Sequence, residues 1–362
     1  MNSETAEKKQ APEFSNDELS NGLNIELSKF DAYRVTKEKQ IPNPPPTATI
    51  GDSPILAAGN ITPMTAEAKG GKTAAANVFI AGAISDSGNY DGFNDLFIQS
   101  NPSGKAVLHF DTEQSEADQQ YNLKTSLTRA GYNSTPDYYR SYNTRTLPIN
   151  EYQNFTSTIC ELASECFNGI HLIVIDGGAD YITSVNDEAE ANAIITYFIF
   201  LAVKYNCPVL LVIHLNENAG RNGDTMPRGH VGRQAVRKGY CQLHITKTGD
   251  ISTMQVLRAR KAGNDTPVIC YQYSKDHGYH ISVDAAIAGA KCSRSSVLRN
   301  NLESICKEVL PLGASLSYTQ LRDELSQTTD KSAGAAKRYI ENLESWKAIK
   351  KGPDGNYRII NN

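Results

Sequence analysis

Ala66-Glu67-Ala68-Lys69-Gly70-Gly71-Lys72-Thr73, running into Ala74-Ala75-Ala76, is the stretch on which the reading of this chain turns. It matches the pattern of glycine, four residues, glycine, lysine and serine or threonine, with Ala66 standing in the first glycine position. That order has a physical reason. Small residues let successive backbone N–H groups point inward at phosphate oxygens, and the N-terminus of the following helix adds partial positive charge. Lys72 is placed to reach the terminal phosphates of a nucleotide, with ATP the expected one, and Thr73 to ligate Mg2+. Lys69, Gly70, Gly71, Lys72, Thr73 and Ala74 are therefore the candidate nucleotide-binding residues. Ala66 needs a compatible backbone conformation but introduces no wrong chemical group. A plain surface turn is the competing reading of the loop taken alone.

Working outward, residues 60–62 offer a short strand ahead of the loop and 73–84 a helix of small side chains behind it. Apolar runs at 106–110, 170–175 and 208–214 read as buried strands, and 116–129, 152–167 and 188–205 as helices. Strands alternating with helices of this length imply an α/β fold whose mostly parallel central sheet is covered on both faces. Beyond about Lys238, segments at 242–247, 253–260, 268–273 and 280–283 alternate apolar and polar residues, which suits an antiparallel extension at one edge. Three helices at 298–310, 319–325 and 332–346, then strands at 348–351 and 357–360, predict a small α+β winged helix-turn-helix, a form that also serves protein interaction. The expected organisation is a flexible arm and proline-rich linker over 1–48, the α/β domain over 49–283, a linker over 284–296 and the winged-helix domain over 297–362. Within the arm, 25–33 reads either as a short amphipathic helix docking through Phe30 and Ala32 or as a disordered tether.

Two carboxylates stand where such a fold binds ligands. Asp176 ends the run Ile170-His171-Leu172-Ile173-Val174-Ile175, so it lies at the C-terminal edge of a buried strand, placed to hold Mg2+ directly or through water. Glu113 follows Val107-Leu108-His109-Phe110-Asp111-Thr112, just past the strand after the loop's helix, placed to orient or deprotonate an attacking water. With these motifs in this order, residues 55–273 resemble the RecA-like P-loop ATPases, closest to the RepA plasmid helicase and hexameric replicative helicase branch.

The resemblance implies a RecA-like core and further roles. Glu113 would be the catalytic glutamate, working with Lys72. His214, ending the strand Val209-Leu210-Leu211-Val212-Ile213, would sense the nucleotide, and Arg228 to Arg233 would form a loop facing DNA. Arg258 and Arg260 alternate on one predicted strand, and the resemblance makes them a basic pair reaching the phosphates of an adjacent subunit, Arg260 being the better finger. A core histidine, an ordinary solvent loop and surface salt bridges are the plain alternatives. The partners so implied are single- or double-stranded DNA and further copies of the chain, in a homo-oligomer such as a hexameric ring.

Composition sets the bounds. With 362 residues, 40% apolar and 21% charged, the chain can fill one large core and a small satellite. Its start is polar, and nothing approaches the ~20 apolar residues a membrane span requires, so a cytoplasmic protein without a membrane partner is expected. Seven cysteines with no CxxC pair read as small core hydrophobes rather than a disulfide framework. The formal net charge of −4 gives no general attraction to nucleic acid, but its distribution is uneven. Residues 291–362 carry twelve basic and eight acidic side chains, and Lys337, Arg338, Lys350 and Lys351 are the candidate DNA contacts there. The expected function is an ATP-hydrolysing DNA helicase or helicase-like motor of plasmid or mobile-element replication or transfer. A DNA-bound ATPase switch acting in recombination or excision without unwinding, and a nucleotide-binding structural adaptor, are the alternatives.

Overall fold

The computed structural model describes residues 27–41, 44–215, 227, 229–260, 266–284, 305–311, 313–329, 333–345 and 348–360. The chain divides into two compact units, the first closing at Pro44 and the second opening at Pro45. In the first, residues 27–28 are helical and a single 3-10 turn spans Asp31–Tyr33, so the expected amphipathic helix is reduced to these turns among the described residues.

The second unit is built on a nine-stranded sheet. Its strands are β3 (Ile61–Ala66), β5 (Ala106–Asp111), β6 (Tyr139–Asn143), β7 (Ile170–Asp176), β8 (Val209–His214), β9 (Cys241–Thr248), β10 (Ile251–Ala259), β11 (Ile269–Ser274) and β12 (Tyr279–Ser282). Their order is β12-β11-β10-β9-β3-β8-β7-β5-β6. Pairing is parallel from β9 to β6 and antiparallel from β9 to β12, so the sheet is largely parallel with an antiparallel edge. Alternation sorts each strand between two cores. Leu172 and Val174 of β7 face one cluster with Phe79, Ile80 and Leu127, whereas Ile173 and Ile175 face the other with Cys160, Ile194 and Phe198. The first face carries α1 (Lys72–Ile84) and α2 (Glu116–Arg129), and the second carries α3 (Tyr152–Cys166), α4 (Glu188–Lys204) and α5 (Gly229–Lys238).

Local chemistry sets the helix starts. The Ser115 hydroxyl accepts the Asp118 N–H at the head of α2, and the Asp187 carboxylate accepts the Glu190 N–H at the head of α4. α1 begins differently, from Gly71 in the left-handed region at φ +100°, with no side-chain cap. Its first N–H groups are thereby left for a ligand.

Three elements were not expected. A separate three-stranded antiparallel sheet, in the order β2 (Ser53–Leu56), β1 (Ala48–Ile50), β4 (Leu96–Ile98), packs into the first core through Ile50, Ile55 and Ile98. β6 adds an outer parallel strand beside β5. α5 occupies sequence read as a DNA-facing loop, so Arg233 is an exposed helical residue; Arg228 lies outside the described residues.

After the sheet, 305–309 are helical, followed by α6 (Tyr318–Thr329), α7 (Ala333–Ser345) and the hairpin of β13 (Ile349–Lys351) with β14 (Tyr357–Ile359). Leu321, Leu325, Ala336, Ile340, Leu343, Ile349 and Tyr357 form its own small core. Most of the expected linker, from residue 285 onward, lies outside the described residues. The cysteine expectation needs one correction. Cys160, Cys207, Cys241, Cys270 and Cys306 are buried, but Cys166, the last residue of α3, is exposed because its helix turns that position to solvent.

Candidate active site

The strand order explains the site before any side chain is considered. β3, β8, β7 and β5 are consecutive neighbours, all parallel, so their C-terminal ends share one edge. Ala66 of β3 stands beside His214 of β8, and Asp176 of β7 beside Asp111 of β5. The phosphate loop, Asp176, His214 and Glu113 are thereby gathered from 149 residues of chain, 66 to 214, into one cavity of about 420 Å3.

The loop is held by the antiparallel edge. Ser252 Oγ of β10 donates to the Gly70 carbonyl at 3.0 Å, and Tyr271 Oη of β11 donates to the Gly71 carbonyl at 3.0 Å. These bonds turn carbonyls away from the cavity. Gly71 needs to be glycine twice over: its φ is in the left-handed region, and a Cβ there would meet Ser252 Oγ at 2.7 Å. Lys69 also has a positive φ, of 59°. Ala66 closes β3 fully buried, so the first position of the loop pattern belongs to the strand.

Lys72, His214 and Glu113 form a chain of contacts. Lys72 Nζ donates to His214 Nδ1 at 2.7 Å, and His214 Nε2 donates to both Glu113 oxygens at 2.8 Å. Burial lowers the pKa of Lys72, opposed by the charges of Glu113 and Asp176. Burial opposes ionisation of Glu113, but the hydrogen bond and charge of His214 and the charge of Lys72 prevail and hold its carboxyl below the ordinary range.

Asp176 is buried, and that burial, together with the charges of Asp111 and Glu113, pushes its carboxyl up to about 8, with Lys72 pulling the other way. Asp111 is committed to structure: its carboxylate accepts the backbone N–H groups of Glu113 and Gln114 and the Gln114 side-chain amide. His109, whose Nδ1 pairs with Ser141 Oγ at 3.0 Å, brings a ligating atom within 4.8 Å of those of Asp111 and Asp176. So much negative charge at one buried spot fits a divalent cation, with Asp176 and the Thr73 hydroxyl as the oxygen donors in the cavity wall.

The other candidates fall elsewhere. Arg258 and Arg260 are exposed, and neither is in the cavity wall. A register shift falls between Val256 and Arg258, ahead of both arginines, and β10 ends at Ala259, so Arg260 follows the strand. Its guanidinium donates to the Lys238 carbonyl at 3.1 Å. Lys337, Lys350 and Lys351 are exposed on α7 and the hairpin, where Arg358 pairs with Asp354; the side chain of Arg338 lies outside the described ones. Sequence reasoning missed a set of amides. Asn77 of α1 donates to Asn122 of α2, which donates to Gln114, which donates to Asp111. The set's members come from α1, the turn after β5 and α2, so no local run in the sequence marks them.

A phosphate loop at the head of an uncapped helix, with a buried carboxylate two strands away, defines a P-loop NTPase on an α/β core. The chain belongs to the AAA domain family, whose sequence model matches residues 26–220, more than half of its length. No curated protein matches it. Among solved structures, the RadB recombinase aligns at 15% identity and TM-score 0.40, covering 63% of this chain and 93% of that one. A KaiC-like protein from Pyrococcus horikoshii OT3 aligns at 9% identity and TM-score 0.43, covering 67% of this chain and 100% of that one. Among the described residues no helix is long and apolar enough to cross a membrane.

Proposed function

We propose that the chain is an ATP-hydrolysing DNA helicase or helicase-like motor, assembled from several copies, with RecA-like character in its core and a winged-helix domain at its C-terminal end. The observation that carries this reading is the contact chain from Lys72 through His214 to Glu113. It joins a phosphate ligand to a carboxylate suited to water activation, through a residue at the end of β8. In this scheme Lys72 offsets charge on the terminal phosphates, and Glu113 orients the attacking water and accepts its proton. Thr73 and Asp176 would hold Mg2+, which when bound would offset negative charge on the phosphates.

Terminal phosphates compete with His214 for the Lys72 ammonium, so phosphate binding and loss change what His214 contacts. The chain leaves β8 at His214, bridges back from Leu215 to Pro227, and enters α5 with Arg233. That path offers a physical route from nucleotide to a DNA contact at Arg228 and Arg233. Lys337, Arg338, Lys350 and Lys351 are the proposed second contact. A plasmid or mobile-element setting rests on the sequence resemblance. The test is ATP hydrolysis with and without single-stranded DNA, alongside strand displacement on a forked duplex. Displacement driven by hydrolysis is expected. DNA-stimulated hydrolysis without displacement overturns the motor in favour of a switch, and absence of hydrolysis leaves an adaptor.

A further inference from the structure

The cavity is larger at one end than phosphates require. From the loop it runs past Asn122 and Thr125 to Tyr121 and Arg129 of α2, and across to Tyr273 of β11 and Tyr279 of β12. Tyr121, Thr125 and Arg129 are four residues apart, so α2 presents them as one stripe. Tyr121 and Tyr273 leave 54% and 51% of their surfaces exposed, an unusual placement for two aromatic rings in a cavity wall. They form an aromatic platform at the cavity wall.

Arg129 supplies a second observation. It is buried, with its guanidinium over the Tyr279 ring at 4.3 Å, and it donates to the Asp91 carbonyl at 2.6 Å and to the His280 carbonyl. Its Nε–H is buried away from solvent, with no hydrogen-bond partner among the described residues. The neighbouring amides, in contrast, are occupied with one another through Asn77, Asn122 and Gln114.

We propose that this end of the cavity is a nucleobase subsite, where the ring of the bound nucleotide stacks against Tyr121 and Tyr273. Stacking is the dominant contact, since any base has a π-face for the platform. The subsite rests on the nucleotide-site reading, because the phosphate loop fixes which end of the cavity the base occupies. Tyr121 also ties α2 to the turn between β11 and β12, its hydroxyl donating to the Gly278 carbonyl at 2.6 Å, so a structural role has to be separated from a binding one.

The experiment measures binding of two ligands, each with Mg2+, to the full chain by calorimetry: a slowly hydrolysed ATP analogue and inorganic tripolyphosphate, which has no base. Tyr121→Ala and Tyr273→Ala are expected to weaken the ATP analogue roughly tenfold, the size of one lost base–aromatic stack, and to leave tripolyphosphate unchanged. Tyr121→Phe keeps the ring and loses the Gly278 bond, so its affinity stays within about twofold of the original. Unchanged affinity for the ATP analogue in both alanine variants overturns the subsite, as does equal weakening of both ligands or a Tyr121→Phe loss as large as that of Tyr121→Ala. Lys72→Ala separates the two readings, since it weakens both ligands if the nucleotide site is right. A chain that binds neither ligand defeats the nucleotide site, and the base subsite with it.

Discussion

Lys72 and Asp176 are both held in states that a ligand would change. The Lys72 ammonium rests on His214 at 2.7 Å while its burial works against its charge. Terminal phosphates give it a far better partner. Lys72→Ala is therefore expected to cut ATP turnover by about a hundredfold or more, as loss of a preorganised charge donor does. Normal turnover in the purified variant would sink the assignment. Asp176 makes a sharper case. Its folded pKa, about 8, lies above the ordinary carboxylate value, so the fold favours the protonated form, and stability falls as pH rises toward and through 8. Asp176→Asn removes that cost. It is expected to raise the unfolding temperature of the ligand-free chain by roughly 2–4 °C, more at pH 8.5 than at pH 6.5, while abolishing Mg2+-dependent hydrolysis. Thermal scans at the two pH values check it, and a lowered temperature at both would show that the carboxylate is structural. Glu113 faces the cavity with His214 holding it ionised. Glu113→Gln keeps the shape and loses the proton acceptor, so nucleotide binding persists while turnover drops by about 10²–10⁴. Single-turnover hydrolysis at saturating nucleotide reads this directly, and an unchanged rate moves the role elsewhere.

At the scale of elements, the phosphate loop is strung between a buried strand and the antiparallel edge. Ser252 and Tyr271 each take one loop carbonyl, and Gly71 fits against them only without a side chain. Gly71→Ala imposes roughly 1–2 kcal/mol of left-handed strain besides its contact with Ser252 Oγ, so the loop must move. Weaker binding of nucleotide and tripolyphosphate together is expected, with the circular dichroism of the fold unchanged; full affinity would mean that the tethers do not shape the loop. This dependence was hidden in the sequence. Ala66 to Thr73 announced the loop, and the runs ending in Asp176 and His214 announced their strands, because buried parallel strands are nearly continuous in apolar residues. Which strand lies beside which was not announced, and the meeting of His214 with Glu113 follows from the β3-β8-β7-β5 order alone. The short strands β1, β2 and β4, of three or four residues, carry too few alternations to register, and β6, reading Tyr-Arg-Ser-Tyr-Asn, is too polar. α5 failed to register for the opposite reason. Gly229 and Gly232 read as loop chemistry, whereas Gly232 is where the helix passes Pro227 too closely for a Cβ, at 2.4 Å.

For the whole molecule, two proposals concern what the chain works with. The first is that the exposed Lys337, Lys350 and Lys351, with Arg338, would form a DNA contact on the C-terminal helices and hairpin. Neutralising all four should weaken DNA binding at low salt and reduce the salt slope by about one for each phosphate that is no longer neutralised. Equal affinity at low salt would point instead to a protein-binding role. The second proposal is that hydrolysis requires a neighbouring copy, whose Arg260 reaches the phosphates. Within one chain Arg260 is exposed outside the cavity, fixed to the Lys238 carbonyl, while Lys238 Nζ donates to Thr196 Oγ1 at 3.2 Å on α4. Thr196, Phe200 and Val203 follow at helical spacing, and the last two leave 55% and 61% of their surfaces exposed. An anchored cation beside an uncovered apolar stripe is the surface expected of a subunit contact. Arg260→Ala should bind nucleotide normally and lose turnover by up to about 10³–10⁵, the range for a finger that offsets charge developing in transfer. Mixing it with Lys72→Ala subunits gives the decisive measurement. One variant keeps an intact phosphate site and the other an intact Arg260, so interfaces that pair them regain activity although each variant alone is weak. Subunit exchange is verified first with labelled chains. Mixed oligomers no more active than the sum of the two variants, together with normal hydrolysis by Arg260→Ala alone, would place the compensating charge within a single chain, where Lys69 and Lys247 of the cavity wall are the cations to examine next.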